Sequence, residues 1–438
     1  MMSKDARTMR GARRLLSATA TVAAVALAAA GCTGTSGGSS SASGSAGGQV
    51  TLQLGQWWEA ELPAGSFAGL ISQFEAQNPN IKVTLLTSPF ATFSQQMVTN
   101  AAAGTLPDVV GLSGAWVSDF AKQGAIADLS SLMAADKYDT SQLASQVQIS
   151  GKTYMIPVVN FVYPLFVNKD LLTKAGVSTV PTTRTEFTAA ATAISKLGGN
   201  VEGWGLPLDT AVPNAIANDV MSWVWASGGS MLTSSGEPDV TNAQVKSGVE
   251  FVKSLYDAKV ISPGTLTMKE QDKVEQFTTG QVGMVIDTLA HVTLVRKNNP
   301  NLNFTVAPIP AQDGYTGKRG IPYASWGVGI SNKSPHKAEA LKLVEYLMSA
   351  NVNAQLSTLA KGFPGNKTAV PDFSKSDPLF KTAFDIYQSG YPANEFVGLP
   401  KAEQLERTFE EQLQQTLTGS QSVDQMLTNT QTAWKAIF

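Results

Sequence analysis

The chain has 438 residues, with 32 basic and 34 acidic side chains, a formal net charge of −2, two histidines and one cysteine. A balance this close to neutral, with no basic stripe, argues against a nucleic-acid partner, and so few histidine and cysteine donors exclude a zinc site of the His/Cys type. They equally disfavour a Ser-His-Asp or Cys-His centre, since neither His291 nor His336 stands in a G-x-S-x-G or similar setting, and no cofactor or metal is expected.

In chain order, Lys4, Arg7, Arg10, Arg13 and Arg14 make a basic start, Leu15 to Ala30 is an uncharged run of apolar and small residues, and Ala29-Ala30-Gly31-Cys32 closes it. A basic region, a short apolar region and a small-residue exit predict a secretory signal over residues 1–31 rather than a membrane span. Cys32 has no partner for an internal disulfide. The pattern resembles a bacterial lipoprotein signal, in which the cysteine receives a lipid and becomes the new N-terminus. Ala29 stands where Leu is commoner in that motif, with Leu27 two residues upstream. Arg13-Arg14 also admits a twin-arginine export reading, although the usual aromatic after it is absent. A soluble secreted protein with an incidental cysteine is the plain alternative. Thr33 to Gly48 contains only Thr, Gly, Ser and Ala, a composition that stays a flexible tether and spans about 20–24 Å as a coil. The expected location is therefore the outer face of the cell membrane, through a lipid anchor on Cys32 of two or more acyl chains.

From Gln49 onward about 390 residues remain, too many for one ordinary core, so two lobes are expected. No later apolar run is long enough to span a membrane. Val50 to Gly55 alternates and reads as a strand. Phe67, Leu70, Ile71 and Phe74 have helical spacing, Pro79 ends that unit, and Ile81 to Leu86 is a second strand. Phe90 to Ala103 reads as a helix ending at Gly104, Val109 to Leu112 as a short buried strand, and Trp116 to Gln123 as a helix stopped by Gly124. This alternation predicts an α/β fold with a largely parallel sheet. Tyr154 to Val167 is an over-long extended run interrupted by Pro157 and Pro164, as in a segment passing from one sheet to another. Thr183 with Glu186, Thr241 with Gln244, and Ser422 with Gln425 are capping-box pairs that start helices near 184, 242 and 423. Val245, Val249, Val252 and Tyr256 form a stripe on the second. Ser334-Pro335 is read as the cap of a helix carrying Leu341, Val344, Leu347 and Met348.

Several of these segments together resemble the extracellular solute-binding proteins of carbohydrate ABC importers, the family of maltose-binding protein. Phe74-Glu75-Ala76-Gln77-Asn78-Pro79 with Ile81-Lys82-Val83 is similar to its helix-then-strand opening, and Gly104-Thr105-Leu106-Pro107-Asp108-Val109-Val110 to its best-known stretch. Gln123-Gly124-Ala125 and Asp128-Leu129 follow. Gly151-Lys152-Thr153-Tyr154 with Pro157, then Val167 to Leu172 and Ala175-Gly176, resemble its lobe crossover, and 277–284, 330–336 and 419–437 also fit. The resemblance implies a two-lobe fold like type II periplasmic binding proteins, with a hinge and an inter-lobe cleft. It places the N-lobe at 49–160 and 288–333, the C-lobe at 164–287 and 334–438, and the first crossover at 157–164. It implies a monomer that hands a carbohydrate to two ABC permease subunits and their ATPase; the chain itself has no G-x-x-x-x-G-K-[ST] loop.

In α/β sheets ligands bind beyond the carboxyl ends of strands, which selects the candidate contacts. Trp57, Trp58 and Glu59 follow the first strand, and aromatic rings with a few polar groups suit a sugar. Ser113 and Trp116 follow the third. Asn160, Phe161 and Tyr163 border the crossover. Trp223 and Trp225 point apart if helical, so one of them is core. Asp287 follows the strand Gly283 to Ile286. Ser325-Trp326-Gly327 offers Trp326 for stacking, with loss of ligand binding but not of folding expected on its removal, and Phe363 lies in Lys361-Gly362-Phe363-Pro364. Trp204 and Trp434 are read as core, and His291 and His336 as helix-surface residues. A secreted glycoside hydrolase would need a carboxylate pair about 5 to 9.5 Å apart, for which Glu59, Asp209 and Asp287 are the candidates. A peptide or polyamine ligand is the other alternative, and a polyamine would need several cleft carboxylates, of which these loops carry few.

Overall fold

The computed structural model describes residues 48–438; the signal, Cys32 and the tether up to Gly47 lie outside the described residues. Among the described residues no helix is long and apolar enough to cross a membrane.

The periodicities set the first units. Strand β1 (Val50–Gln56) buries Leu52 and Leu54, and helix Ser66–Gln77 buries Phe67, Leu70, Ile71 and Phe74. Strand β2 (Ile81–Thr87) follows, then helix Phe90–Ala103, which stops at Gly104 with φ +69°. That backbone conformation costs glycine nothing and ends the helix. Strand β3 (Val109–Leu112) is buried throughout. Strands β4 (Val147–Ile149) and β5 (Lys152–Val162) complete the first half of a sheet.

The long extended run divides at the second of its prolines. β5 ends at Val162, and β6 (Leu165–Asn168) begins a second sheet after Pro164. That sheet is completed by β7 (Glu202–Gly205), β8 (Val282–Ile286) and β9 (Phe304–Ala307), in the order β7-β8-β6-β9. The chain then returns through β10 (Gly320–Ile330), β11 (Phe363–Pro364) and β12 (Tyr391–Ala393). The first sheet has the order β11-β5-β10-β3-β1-β2, with β12 beside β10 and β4 beside β5.

The sheets are mixed rather than largely parallel. β1, β2 and β3 are mutually parallel, where helices connect them, but β10 runs antiparallel to β3 and β5, and β6 antiparallel to β8 and β9. Strands that arrive by crossing between sheets are not bound by the parallel rule for strand–helix–strand units. Pro157 has no N–H to donate, and the β5–β10 register shifts opposite it, between Trp326 and Gly327. A Cβ on Gly327 would meet Met155 Sδ, so that glycine accommodates the methionine.

Strand pairing also moves the later boundaries expected from the sequence. β9 lies within 288–333 yet pairs with β6 in the second sheet. Helices Lys337–Met348 and Ala350–Ala360, expected with the second lobe, pack Leu341, Leu343, Val344, Leu347 and Leu356 into the core of the first sheet. A second core forms around Trp204, Trp223, Trp225 and Trp434, and a third around Phe166, Phe277, Phe304 and Phe363.

Two helix starts differ from their sequence signals. Asn242, not Thr241, caps Ala243–Asp257 by accepting from Gln244 and Val245 N–H. The helix after Ser334-Pro335 begins at Lys337, while the Ser334 hydroxyl accepts from His336 N–H at 3.1 Å and donates to Asp108 at 2.6 Å. The Thr183–Glu186 capping box is present, and Ser422 accepts from Gln425 N–H.

Gly365 provides a test of this packing: a Cβ there would strike the backbone carbonyl of Pro157, while Gly365 N–H donates to Val158 O at 3.0 Å. Backbone cannot move aside as a side-chain end can. Gly365→Ala is expected to lower the unfolding free energy by about 1–3 kcal/mol, read as a shifted urea midpoint.

Candidate ligand-binding cleft

β3 delivers Ser113 in extended conformation and then turns through Gly114–Trp116. Gly114 is needed because the Val397 side chain lies 2.7 Å from where its Cβ would be, and Gly398 N–H donates to Gly114 O at 3.1 Å. Facing this turn is a π-helical turn, Ile216–Val220, with Met221 N–H bonded to Ile216 O at 2.8 Å. Such widened turns are frequent at functional sites. Helix Ala402–Leu417 closes the side. Between them is a cavity of about 240 Å³, lined by Ser113, Tyr163, Asn214, Asn218, Ser325, Asn394 and Glu406 among others.

Two further cavities continue it. One of about 260 Å³ shares Asn214 and is lined by Asp209, Glu270 and His291. Another of about 420 Å³ shares Ala115 and Ala402 and is lined by Trp116, Glu403 and Arg407. The result is a groove between the exit of β3 on the first sheet and the π-helical turn and helix Ala402–Leu417 of the second core. The polar groups of its central cavity are mostly amides and hydroxyls, with Glu406 the one carboxylate there among the described residues, and the two flanking cavities carry charges of both signs, Asp209, Glu270 and Lys269 in one and Asp119, Glu403, Lys401 and Arg407 in the other.

Behind the π-helical turn lies a buried charge network. Lys273 Nζ donates to Ile286 O at 2.6 Å and stands 3.3 Å from Asp219 Oδ1 and 3.9 Å from Asp287 Oδ1. His291 Nδ1 is 3.0 Å from Asp287 Oδ1. Burial pushes the Asp219 carboxyl up to about 7 even with Lys273 beside it. Burial pulls the Lys273 ammonium down, but the charges of Asp219 and Asp287 outweigh it and leave it above its ordinary value. His291 follows the same logic: burial lowers it, and the hydrogen bond and charge of Asp287 carry it upward. Glu270, Asp287 and His291 bring donor atoms within 4.8 Å of one another, a set that could hold a cation. Lys273 already supplies the positive charge there.

Of the residues expected from the sequence, Ser113, Tyr163 and Trp116 line the groove. Trp116 stacks on Phe90, centroids 5.6 Å apart and planes 15° apart, and Phe90 is 45 % exposed. Glu59 is partly exposed at the end of β1 and accepts from Thr87 Oγ1 at 2.9 Å, but lines none of these three cavities. Phe161 is half-buried against Trp326.

The remaining aromatic expectations meet a different structure. Trp57, Trp58 and Trp326 are 4 %, 0 % and 4 % exposed in the first core. Trp58 stacks on Trp326 at 5.6 Å and 11°, so the strand-end tryptophans bury each other rather than opening to the groove. Trp223 packs edge-on to Phe251 and Phe187 in the second core, and Trp225 is buried as well, donating to Glu395 Oε2 at 2.8 Å. Phe363 is enclosed in the third core beside Tyr387. Gly327 serves Met155, and Asp287 is 1 % exposed within the charge network. His291 is not a plain helix-surface residue, because it pairs with Asp287 and borders a cavity. Trp204 and Trp434 are core, as expected.

The groove residues that sequence reasoning missed are Asn214, Asn218, Asn394, Glu270 and Glu406. One signal was available: Asn214 and Asn218 recur one turn apart within the apolar run Val212 to Val224, an arrangement that places two amides on one buried face.

The sequence model for bacterial extracellular solute-binding proteins matches residues 50–354. A putative binding protein of Brucella abortus is 29 % identical over 299 residues, 67 % of this chain and 71 % of the relative. A Streptomyces antibioticus protein described as an uncharacterized lipoprotein is 25 % identical over 318 residues, 69 % of this chain and 68 % of the relative. The sugar-binding protein MalE of Xanthomonas citri shares the fold, with a TM-score of 0.75 at 21 % identity, covering 89 % of this chain and 97 % of that one.

Two outcomes follow from this geometry. Because Trp326 is interior, Trp326→Ala is expected to destabilise the fold by about 3–5 kcal/mol, measured by urea unfolding; an unchanged midpoint would return Trp326 to the groove. Glu410 is fully buried with both carboxyl oxygens unpartnered, and burial, then Asp209, pushes it up to about 8. A carboxyl raised on folding keeps its proton after the unfolded chain has lost it, so stability falls as pH rises from about 4.3 towards about 8. Glu410→Gln is expected to flatten that fall and to gain about 1–2 kcal/mol over the parent near pH ~8, read from urea midpoints across pH.

Proposed function

As the chain belongs to the bacterial extracellular solute-binding protein family, we propose that it captures an oligosaccharide in the groove and delivers it to the permease of an ABC importer. The observation that carries this reading is the groove itself: a set of amides and hydroxyls, Ser113, Asn214, Asn218, Ser325 and Asn394, beside the Trp116–Phe90 stack. Amides both donate and accept, which matches sugar hydroxyls, and an aromatic rim covers the apolar C–H face of a sugar ring. The Xanthomonas citri structure with this fold is described as a sugar-binding protein.

In this reading the first lobe comprises β1 to β5, β10 and the helices from Lys337 to Ala360, and the second β6 to β9 with helices Ala243–Asp257, Ala402–Leu417 and Val423–Lys435. The hinge is the place where three chain passes meet. Asp287 N–H donates to Pro164 O at 3.2 Å, Leu289 N–H to Val162 O at 3.0 Å, and Tyr163 N–H to Pro322 O at 2.9 Å. Ligand that touches both walls favours the closed arrangement only through contacts that the open one lacks. The signal at 1–31, lipidated Cys32 and the tether hold the protein at the outer face of the membrane, in keeping with the lipoprotein description of the Streptomyces antibioticus relative. The protein acts as a monomeric receptor, and the chemistry of transport belongs to its membrane partners.

Calorimetric titration of the mature chain with neutral and N-acetylated oligosaccharides, followed by chromatography of the sugar, tests the proposal. Saturable binding of unaltered sugar is expected, with Asn218→Ala weakening it about ten-fold, equivalent to ~1.4 kcal/mol. Shortened sugar would replace the receptor reading with a hydrolase, and no binding of any sugar would remove carbohydrate as the ligand class.

A further inference from the structure

We propose that the solute carries a basic amino group, as an amino-sugar unit of an oligosaccharide does, and that Glu406 is the carboxylate that receives its ammonium. The inference rests on the reading of the groove as the solute site and names the chemistry that the second wall selects.

Among the described residues, Glu406 is a carboxyl group with no cation beside it. Glu406 lines the central cavity, and among the described residues no lysine, arginine or histidine does so. Among the described residues its carboxylate has neither a hydrogen-bond nor an ion-pair partner, and the charges felt there are those of Glu403 and Glu410, each one turn away on the same helix. Arg407 lines the neighbouring cavity with Glu403 instead. The one fully buried cation nearby, Lys273, is held by Asp219, Asp287 and Ile286 O. Across the shared Asn214, the next cavity carries charges of both signs, from Asp209 and Glu270 and from Lys269, with His291 beside them.

A second observation points to a ligand at this place. Asn218 is 7 % exposed and lines the cavity with Tyr163, and among the described residues its carboxamide makes no hydrogen bond. A carboxamide offers two donors and an acceptor, and a buried amide with capacity unused is costly unless something binds it. Asn218 and Glu406 therefore face one cavity with unfilled polar demand. A sugar hydroxyl answers the amide. A cation suits the Glu406 carboxyl, which burial and two neighbouring acids have pushed up to about 8, because an opposite charge at contact restores its ionisation.

That state has a signature. Near neutral pH the free protein holds Glu406 largely protonated, and arrival of an ammonium ionises it, so one proton leaves to solvent for each amine bound. An uncharged twin of the same ligand has no such effect.

The test uses the mature chain in calorimetry with a glucosamine tetrasaccharide, its fully N-acetylated counterpart, a neutral glucose tetrasaccharide, and spermidine, each in two buffers of different ionisation enthalpy near pH ~7. The expected result is that the amine-bearing sugar binds about ten-fold or more tighter than its acetylated twin, with buffer-dependent heat that the twin lacks. Glu406→Gln, checked for an unaltered thermal midpoint, is expected to abolish both the preference and the buffer dependence. Equal or tighter binding of the acetylated or neutral sugars would overturn the amine proposal and leave the oligosaccharide reading standing. A preference that survives Glu406→Gln would overturn the assignment to Glu406. Binding of spermidine alone, lost in Glu406→Gln, would overturn the sugar reading and keep the ammonium contact. Binding of none of the four would overturn both.

Discussion

Lys273 is the point on which the second half of the molecule turns. Its side chain is 1 % exposed and touches two separate pieces of chain: Asp219 of the π-helical turn, and the end of β8, through the Ile286 carbonyl and the Asp287 carboxylate. A lone buried ammonium is prohibitive, and a buried pair survives only where its remaining protons are also satisfied. Here two carboxylates and one carbonyl meet that condition together. Removing any of them would leave a charge in the interior, so the helix bearing Lys273, the widened turn and the strand end are held in one arrangement.

This arrangement decides where the groove lies. Asp219 points inward to Lys273, so Asn218, its neighbour in the same turn, is presented to the cavity. Asn214, one turn earlier, donates to Glu270 Oε2 at 3.0 Å and borders two cavities at once. The crossover adds Tyr163 from the other side, its hydroxyl raised well above the ordinary range by burial and then by Glu270, Asp287 and Asp219. The polar floor of the groove is thus the outer edge of a buried charge cluster, held by electrostatics from below and by the first sheet from above.

How far the sequence foretold this depends on the range of the interaction concerned. Helices Ser66–Gln77 and Phe90–Ala103 were legible because apolar spacing and a terminal glycine are local signals. The passage between sheets was legible in Pro164, which stands between β5 and β6, whereas Pro157 only shifts the β5–β10 register within a strand that continues past it. The strand-end tryptophans Trp57 and Trp58 were not. A pair of indoles at a strand end is equally compatible with a ligand wall and with a core, and the choice is made by Trp326, which reaches Trp58 from a remote strand. The expected lobe boundaries failed for the same reason: nothing near 304–307 announces that β9 will pair with β6. Glu406 sits on an ordinary amphipathic helix, and its surroundings come from segments far away in the chain.

The chemistry of the second wall reverses one sequence argument. The loops expected to line the site carry few carboxylates, which counted against a cationic ligand. Folding brings the carboxylates from elsewhere, Glu406 from a C-terminal helix, Asp209 from a loop and Glu270 from the first turn of helix Glu270–Thr278, while the positive charge of Lys273 is consumed internally. The ligand preference of such a groove is therefore not written in the strand ends that frame it. It depends on how completely the walls exclude water when they meet. Closure removes water from Glu406, which disfavours its ionised form further unless a cation enters with the ligand. A ligand that supplies one gains most at the moment of closure. A differential of that kind is what shifts a two-lobe receptor towards its closed state, so under the proposed ammonium contact the selectivity for a solute and the signal that it is bound would arise from the same carboxylate.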